Sequence, residues 1–247
     1  TLLLLPILAF AQPSTIIYDV TNNRVIKGSL DNSEMSIASI SKLMTVYTVL
    51  KENQDLNEVL EVTGKRTPNT KLSKGMRLSR IDLINLALIG SDNLAAQTLA
   101  ENFPVGYSYF ISKMNQHSQD LNMYNTRFVE PTGLSPMNYS SLSDIILLAN
   151  AVHEFDIIKD AAKARTVTVH TVRGKKNIKI TSNSTSMFFG REGIVAIKTG
   201  FTKAAGFCIT MLVEADDRIF NITILGAKTK KERQLIVERF LKTINNT

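Results

Sequence analysis

Ser39-Ile40-Ser41-Lys42 sets a hydroxyl and an amine three positions apart. On a helix, positions with that spacing lie on one face about a turn apart, so the two groups can share a hydrogen bond. Ile40, Leu43, Met44, Val46, Tyr47, Val49 and Leu50 cover nearly every direction of a helix running from Ser39 to about Leu50. That pattern predicts a buried helix in which Lys42 is the one charge. An ammonium is costly in such surroundings, and burial pulls a lysine pKa from roughly 10.4 toward neutrality. A shift of about three units corresponds to roughly 4 kcal/mol in favour of the free amine, which can take the proton of a serine hydroxyl. Alone, the same four residues also describe an N-cap serine followed by a surface lysine.

Two further segments carry groups of the right type. Ser91-Asp92-Asn93 falls in a break between two helical patterns, where a hydroxyl and an amide can project into a cleft. By itself it reads as a helix N-cap. Lys198-Thr199-Gly200 follows the apolar run Ile194-Val195-Ala196-Ile197 and precedes Phe201-Thr202, and a glycine there lets a ligand lie against a strand edge. By itself it reads as an exposed strand end before a turn.

Other chemistries find little support. The chain has three histidines, His117, His153 and His170, and one cysteine, Cys208, too few for a zinc site of the Cys/His type and none to spare for a disulfide. No metal or other cofactor is expected. A Ser-His-Asp hydrolase would want G-x-S-x-G, which the sequence lacks. The histidines fall on an amphipathic helix, near a helix end and on a strand, and are read as structural. Cys208 lies in an apolar strand and is read as core filling.

The elements that must hold these groups follow from pattern. Thr15–Val20 and Arg24–Lys27 flank Thr21-Asn22-Asn23 and predict an opening hairpin. A short strand is expected around Glu58 to Thr63. Ser79 and Asp82 begin an apolar helix ending at Ile89, with Gly90 as its stop. Phe110, Met114 and Leu121 mark an amphipathic helix, and Ser141 with Asp144 caps another through Ile145, Leu148 and Val152. Strands return at Thr166–Val172, Asn177–Ile180, Ile194–Thr199, Phe207–Glu214 and Arg218–Leu225, with turns at Arg173-Gly174-Lys175 and Asp216-Asp217. Thr229 and Glu232 cap a last helix carrying Leu235, Ile236, Phe240, Leu241 and Ile244. Strands at both ends with helices between predict one antiparallel sheet built from both termini, flanked by helices and carrying an inserted helical lobe. A cleft is expected between lobe and sheet.

At 247 residues, 44% hydrophobic and 21% charged, the chain is ordinary for a globular protein and unlike a disordered or polytopic membrane protein. Its net charge of +7 favours anionic surroundings without selecting a partner. Residues 1–11 are apolar, uncharged and end in Ala9-Phe10-Ala11, which reads as the remnant of a signal peptide with cleavage after Ala11. Residues 12–247 are then one domain, with its sheet part at about 12–38 and 165–247 and its helical lobe at about 55–160. Export to the periplasm, without a stable membrane anchor, is the expectation.

Taken in order, S-x-x-K, S-x-N and K-T-G on helix start, interhelix break and strand resemble the penicillin-recognising serine enzymes of the β-lactamase/transpeptidase-like superfamily. Ser36–Thr45 and Lys198–Gly206 look most like the low-molecular-mass D-alanyl-D-alanine endopeptidases and carboxypeptidases, and the resemblance runs from about Ser14 to Thr247. The resemblance implies an α+β fold with an antiparallel sheet, flanking helices and a helical lobe. It implies peptidoglycan peptide stems as substrate and β-lactams as covalent inhibitors. Ser39 would be the acylated nucleophile, Lys42 its base and Ser91 a proton relay to the leaving amine. Asn93 would hold the substrate amide, and Lys198 and Thr199 the substrate carboxylate, with Lys198 lowering the Lys42 pKa further. Backbone N–H groups of Ser39 and Phe201 would stabilise the oxyanion, with Gly200 leaving them room and Thr202 lining the site. The chain ends soon after its last helix, which favours the endopeptidase branch over carboxypeptidases with a further β domain and amphipathic anchor.

A class A β-lactamase shares the trio but needs a glutamate that activates the deacylating water. Glu130-Pro131-Thr132-Gly133-Leu134-Ser135 does not match the E-x-x-L-N pattern, and Glu130 is read as a loop residue. A basic nucleic-acid-binding module would account for the charge, but Lys175-Lys176 and Lys228-Thr229-Lys230-Lys231 are short clusters without stacking aromatics and are read as solvated faces. No nucleic acid is expected. A catalytically dead peptidoglycan binder is disfavoured by the intact Ser39, Lys42, Ser91, Asn93 and Lys198.

Overall fold

The computed structural model describes residues 12–67, 70–172, 177–183 and 193–246. The apolar stretch 1–11 and the turn at Arg173-Gly174-Lys175 lie outside the described residues. In chain order come β1 (Ser14–Asp19), β2 (Arg24–Gly28), β3 (Met35–Ser36), a 3-10 turn (Ala38–Ile40) and α1 (Ser41–Lys51). Next are β4 (Val59–Glu61), β5 (Arg77–Ser79), α2 (Arg80–Ile89), α3 (Asn93–Glu101) and α4 (Tyr107–Asp120). They are followed by β6 (Tyr139–Ser140), α5 (Leu142–Val152), α6 (Asp156–Lys163), β7 (Thr166–His170) and β8 (Asn177–Thr181). The chain closes with β9 (Ile194–Thr202), β10 (Gly206–Ala215), β11 (Arg218–Ala227) and α7 (Lys230–Ile244).

Side-chain caps start the helices where the sequence placed them. Ser79, Ser141 and Thr229 accept hydrogen bonds from the backbone N–H of Asp82, Asp144 and Glu232. Only at α7 does the acid reach back, where Glu232 accepts from Lys228 N at 2.6 Å, one residue before the cap. Asp144 instead accepts from Asn125 N and the Thr126 hydroxyl, tying α5 to the loop before it. Helix α6 has no side-chain cap and only eight residues, too short a run to stand out in the sequence. In α7 the inward face is shared by Arg233, Val237, Phe240, Leu241 and Ile244, whereas Leu235, expected on the apolar face, is exposed.

Five antiparallel strands form the main sheet in the order β2-β1-β11-β10-β9, so strands from both ends of the domain meet at its centre. Alternation along β1 sends Ile16 to one face and Ile17 to the other. Ile17, Ile209, Met211, Phe220, Ile222 and Ile224 pack with Val237, Phe240 and Ile244 of α7. The opposite face, through Ile16, Cys208, Leu212 and Leu225, joins the larger core that holds α1, α2, α3 and α5. Burial on both faces is why β10 and β11 read as nearly continuous apolar runs. Strands β7 and β8 pair with each other in a separate hairpin beside α2 and do not extend this sheet. The outer strand β9 faces the 3-10 turn before α1, and that junction is where the helical part and the sheet meet.

Candidate active site

Helix α1 is buried from Ser41 to Val49, so Lys42 has no exposed surface at all. Its Nζ lies 2.8 Å from Ser39 Oγ, 2.7 Å from Asn93 Oδ1 and 2.6 Å from the Thr132 carbonyl oxygen. Two of these neighbours, the amide oxygen and the carbonyl, can only accept. They take two N–H groups of the amine, and the third tetrahedral direction points at the serine hydroxyl. When Lys42 is neutral its lone pair therefore faces Ser39, ready to receive that proton. Burial lowers the Lys42 pKa to about 7, against the opposing pull of Glu130 and Asp92, which favour the ammonium.

Ser39 itself sits in the 3-10 turn rather than in the α-helix proper, and Ala38 before it has a left-handed φ of 47°. A left-handed alanine costs roughly 1–2 kcal/mol and persists only where its surroundings impose it. Here the turn is held against β9 and the loop that carries Thr132. A Cβ built on Gly200 would stand 2.8 Å from Ser39 N, and one built on Gly133 would stand 1.8 Å from the Ala38 carbonyl oxygen. Both glycines let backbone pass where no side chain fits.

Ser91 occupies the break between α2 and α3 with φ of 53°. The N-cap of α3 is Asp92, whose Oδ1 accepts from Ala95 N and whose Oδ2 accepts from the Thr70 hydroxyl. With Asp92 taking the cap, Ser91 is free to face the cleft, where its Oγ accepts a hydrogen bond from Lys198 Nζ at 2.9 Å. Lys198 also donates to Thr199 O at 2.9 Å and is completely buried. Burial first, then the nearby Lys42 and Arg233 cations, hold its pKa well below the usual lysine range. The expected mutual effect of the two lysines is thus felt at Lys198, while Lys42 answers to burial, Glu130 and Asp92.

These groups surround one cleft of about 430 Å³. Ser39, Ser91, Asn93, Thr199, Gly200, Phe201 and Thr202 line it, and Lys42 and Lys198 lie beneath it through their contacts with Ser39 and Ser91. Phe201 stacks on Phe207 with ring centroids 4.2 Å apart, and the Thr202 hydroxyl accepts from Ala205 N in the turn after β9. Every site residue expected from the sequence is therefore at or directly under one opening. A second hollow of about 320 Å³, with Lys71 at its edge, shares Gly90 and Asn183 with the first and continues the cleft past Ser91.

Two lining cations and one loop are not placed at the site by the sequence, which reads Lys230 as part of a solvated face and Glu130 as a loop residue. Lys230 and Arg233 border the cleft beyond Phe207. Arg233 is buried, donates to Cys208 O at 3.0 Å, and leaves its Nε without a partner among the described residues. The clue was available, since Arg233 lies four residues before Val237 on the inward stripe of α7. The loop from Glu130 to Ser135, which supplies the Thr132 carbonyl, offered no such pattern. Among the described residues no group of three His, Cys, Asp or Glu side chains is placed to hold a metal ion.

Arranged this way, a serine with an adjoining neutral amine can attack a carbonyl, and a second amine–hydroxyl pair across the cleft can return a proton to a leaving group. Comparison with known proteins agrees with that chemistry. A D-alanyl-D-alanine endopeptidase of Escherichia coli is 34% identical over 222 residues, spanning 88% of this chain and 72% of the relative. One from Pseudomonas aeruginosa is 32% identical over 228 residues, with the same coverage of 88% and 72%. Among solved structures, a Streptomyces DD-transpeptidase superposes with a TM-score of 0.85 at 18% identity, covering 95% of this chain and 97% of that one, a likeness of fold. A Listeria monocytogenes penicillin-binding protein in its ampicillin-bound form gives 0.81 at 26% identity, covering 94% and 96%. The family model for D-alanyl-D-alanine carboxypeptidases matches residues 7–229, and the chain belongs to that family, the S11 serine peptidases.

Proposed function

We propose that this enzyme hydrolyses D-alanyl cross-links of peptidoglycan as a D-alanyl-D-alanine endopeptidase, through an acyl-enzyme on Ser39. The observation that carries the reading is the Lys42 amine, fully buried, with two of its directions filled by Asn93 and Thr132 and the third on Ser39 Oγ. The scissile carbonyl carbon bonds to Ser39 Oγ as Lys42 takes the hydroxyl proton. The oxyanion lies between the backbone N–H groups of Ser39 and Phe201, an arrangement in which one donor is typically worth about 10²–10³ in rate. Ser91 passes its hydroxyl proton to the leaving amine and takes back the one held by the Lys42 ammonium, while Lys198 Nζ donates to its oxygen and holds it in place. Asn93 keeps its amide N–H₂ for the substrate backbone while its oxygen stays on Lys42. Thr199 and Thr202, with Gly200 opening the floor, hold the substrate carboxylate at the end of the cleft where Arg233 adds positive charge. Water then releases the acyl group.

The similarity to named endopeptidases of two bacteria supports cross-link cleavage, and the continuation of the cleft past Gly90 gives room on the other side of Ser91 for the second peptide. The carboxypeptidases that also match support the second reading, removal of a terminal D-alanine. β-Lactams would acylate the same serine. An action on peptidoglycan sets the enzyme outside the cytoplasm, and we place it in the periplasm.

A fluorescent penicillin is expected to label the purified protein covalently, and Ser39→Ala to abolish the label. Label surviving in Ser39→Ala refutes the assignment. Chromatography of muropeptides after digestion separates the two activities: loss of cross-linked dimers marks an endopeptidase, whereas pentapeptide shortening with dimers intact marks a carboxypeptidase.

A further inference from the structure

Glu130 lies outside the three motifs, yet its carboxylate organises the loop that meets Lys42 and the turn of Ser39. Oε2 accepts from Thr132 N at 2.6 Å and from the Thr132 hydroxyl at 2.5 Å. Oε1 accepts from Gly133 N at 2.6 Å and from Ser135 N at 3.3 Å. Four donors, three of them backbone N–H groups, thus converge on one side chain and force the chain to wrap around it. Thr132 and Gly133 are buried, so without that carboxylate their N–H groups would have no partner on this side.

The wrapped loop is fixed to α1 at successive positions. Thr45 donates to Pro131 O at 2.6 Å, Lys42 to Thr132 O at 2.6 Å, and Asn138, which donates to Glu130 O at 2.8 Å, also donates to Ser41 Oγ at 3.1 Å. Gly133, with φ of 80°, lies against the Ala38 carbonyl that precedes the nucleophile. Moving the loop therefore moves both the carbonyl that orients the Lys42 amine and the backbone that backs Ser39.

We propose that Glu130 is a positioning residue for the acylation step: it shapes the Thr132–Ser135 turn that aims Lys42 at Ser39, and it does not activate the deacylating water. The second half follows from saturation, because both of its oxygens already accept two hydrogens each. This inference rests on the reading of Ser39 and Lys42 as the acylating pair. The charged groups that act on Lys42 are Glu130 and Asp92, while Lys198, the other buried amine of the site, feels Lys42 in turn. Of these, Glu130 and Asp92 favour the ammonium, so neutralising Glu130 makes Lys42 easier to deprotonate.

The test uses Glu130→Gln, which keeps size but sets an N–H₂ against backbone donors. Wild-type labelling at Ser39 is established first, so that failure of the functional assignment is seen separately. Penicillin acylation by Glu130→Gln is expected to fall by about 10–100-fold, the scale on which small displacements of a reacting group cost rate. The acyl-enzyme, once formed, is expected to keep its wild-type lifetime, and the acid limb of the remaining acylation to move to lower pH. A folded variant with wild-type acylation and an unmoved acid limb overturns the positioning role. Normal acylation with a much longer-lived adduct overturns it too, by making Glu130 the hydrolytic base. Should Glu130→Gln not fold, Thr132→Val removes one of the four donors, together with the acceptor of Leu134 N within the same turn: slower acylation with unchanged adduct lifetime supports the proposal, and a wild-type acylation rate refutes it.

Discussion

Ser39 Oγ and Lys42 Nζ stand 2.8 Å apart although Ser39 belongs to a 3-10 turn and Lys42 to the α-helix that follows it. Side chains three residues apart eclipse in 3-10 geometry, so the tighter turn draws the hydroxyl over the amine more closely than a regular helix would. The left-handed Ala38 and the close approach of Gly133 and Gly200 keep that turn from relaxing.

The first consequence is a pH dependence. Lys42 must be neutral to accept the serine proton, and its pKa is lowered to about 7. Below that value the ammonium accumulates and the rate of penicillin acylation should fall about tenfold per pH unit, while above it the rate levels off. Rates measured from pH 5 to 9 check this. A profile that stays flat down to pH 5 would remove Lys42 as the base.

Stability should respond to the same burial with the opposite sense from a carboxylate. Lys42 and Lys198 both have folded pKa values below their unfolded ones, so between about pH 7 and 10 the unfolded chain binds more protons. Unfolding free energy therefore rises with pH in that window through Lys42, and Lys198 adds to it in the same direction. Lys42→Met and Lys198→Met remove the dependence one lysine at a time and should flatten it in steps. Urea melts at pH 7, 8 and 9 measure the slope, and a slope unchanged in both variants contradicts the assignment of buried neutral amines.

What the sequence revealed and what it hid divide along local against non-local interactions. The buried α1 was legible because its apolar residues cover all directions around Lys42, and the capped starts of α2, α5 and α7 because each cap lies within four residues of what it binds. That both ends of the chain share one antiparallel sheet followed from where the strands fall, whereas its order and the separate pairing of β7 with β8 did not. By contrast, Ser91-Asp92-Asn93 in isolation reads as an N-cap without showing which residue serves; the cap is Asp92, and Ser91 adopts a left-handed backbone that only tertiary contacts reveal. The Thr132 carbonyl is a backbone atom 90 residues from Lys42, and no residue type announces it. Arg233 was passed over because a charged residue on an apolar stripe looks like an exception, when here it is the point at which the helix meets the cleft.

The two glycines against the nucleophile's turn should differ in severity. A Cβ at Gly200 meets Ser39 N at 2.8 Å in ordinary strand backbone, so Gly200→Ala should fold and lose acylation by about 10²-fold through a displaced oxyanion donor. Gly133 combines a φ of 80° with a Cβ position 1.8 Å from the Ala38 carbonyl, so Gly133→Ala must move the loop or the turn itself. It should lose several kcal/mol of stability as well as acylation, on the scale of strained and overpacked sites. Thermal melts beside labelling rates separate the two, and equal loss of stability in both variants would show that Gly200 serves packing rather than the oxyanion.

Arg233 gives the remaining test, because its charge and its packing can be pulled apart by choice of ligand. Its guanidinium donates to Cys208 O, lies over the Phe207 ring at 5.9 Å and leaves Nε unpartnered at the edge of the cleft. A buried donor without a partner is costly, and an incoming carboxylate can satisfy it. Acylation by a penicillin with a free carboxylate should therefore exceed acylation by its methyl ester, and Arg233→Leu should narrow that preference by about tenfold, the worth of a hydrogen bond to a charged group. If Arg233→Leu slows acid and ester alike, its effect comes from the loosened contact between α7 and β10, and the carboxylate is held by Thr199 and Thr202 alone.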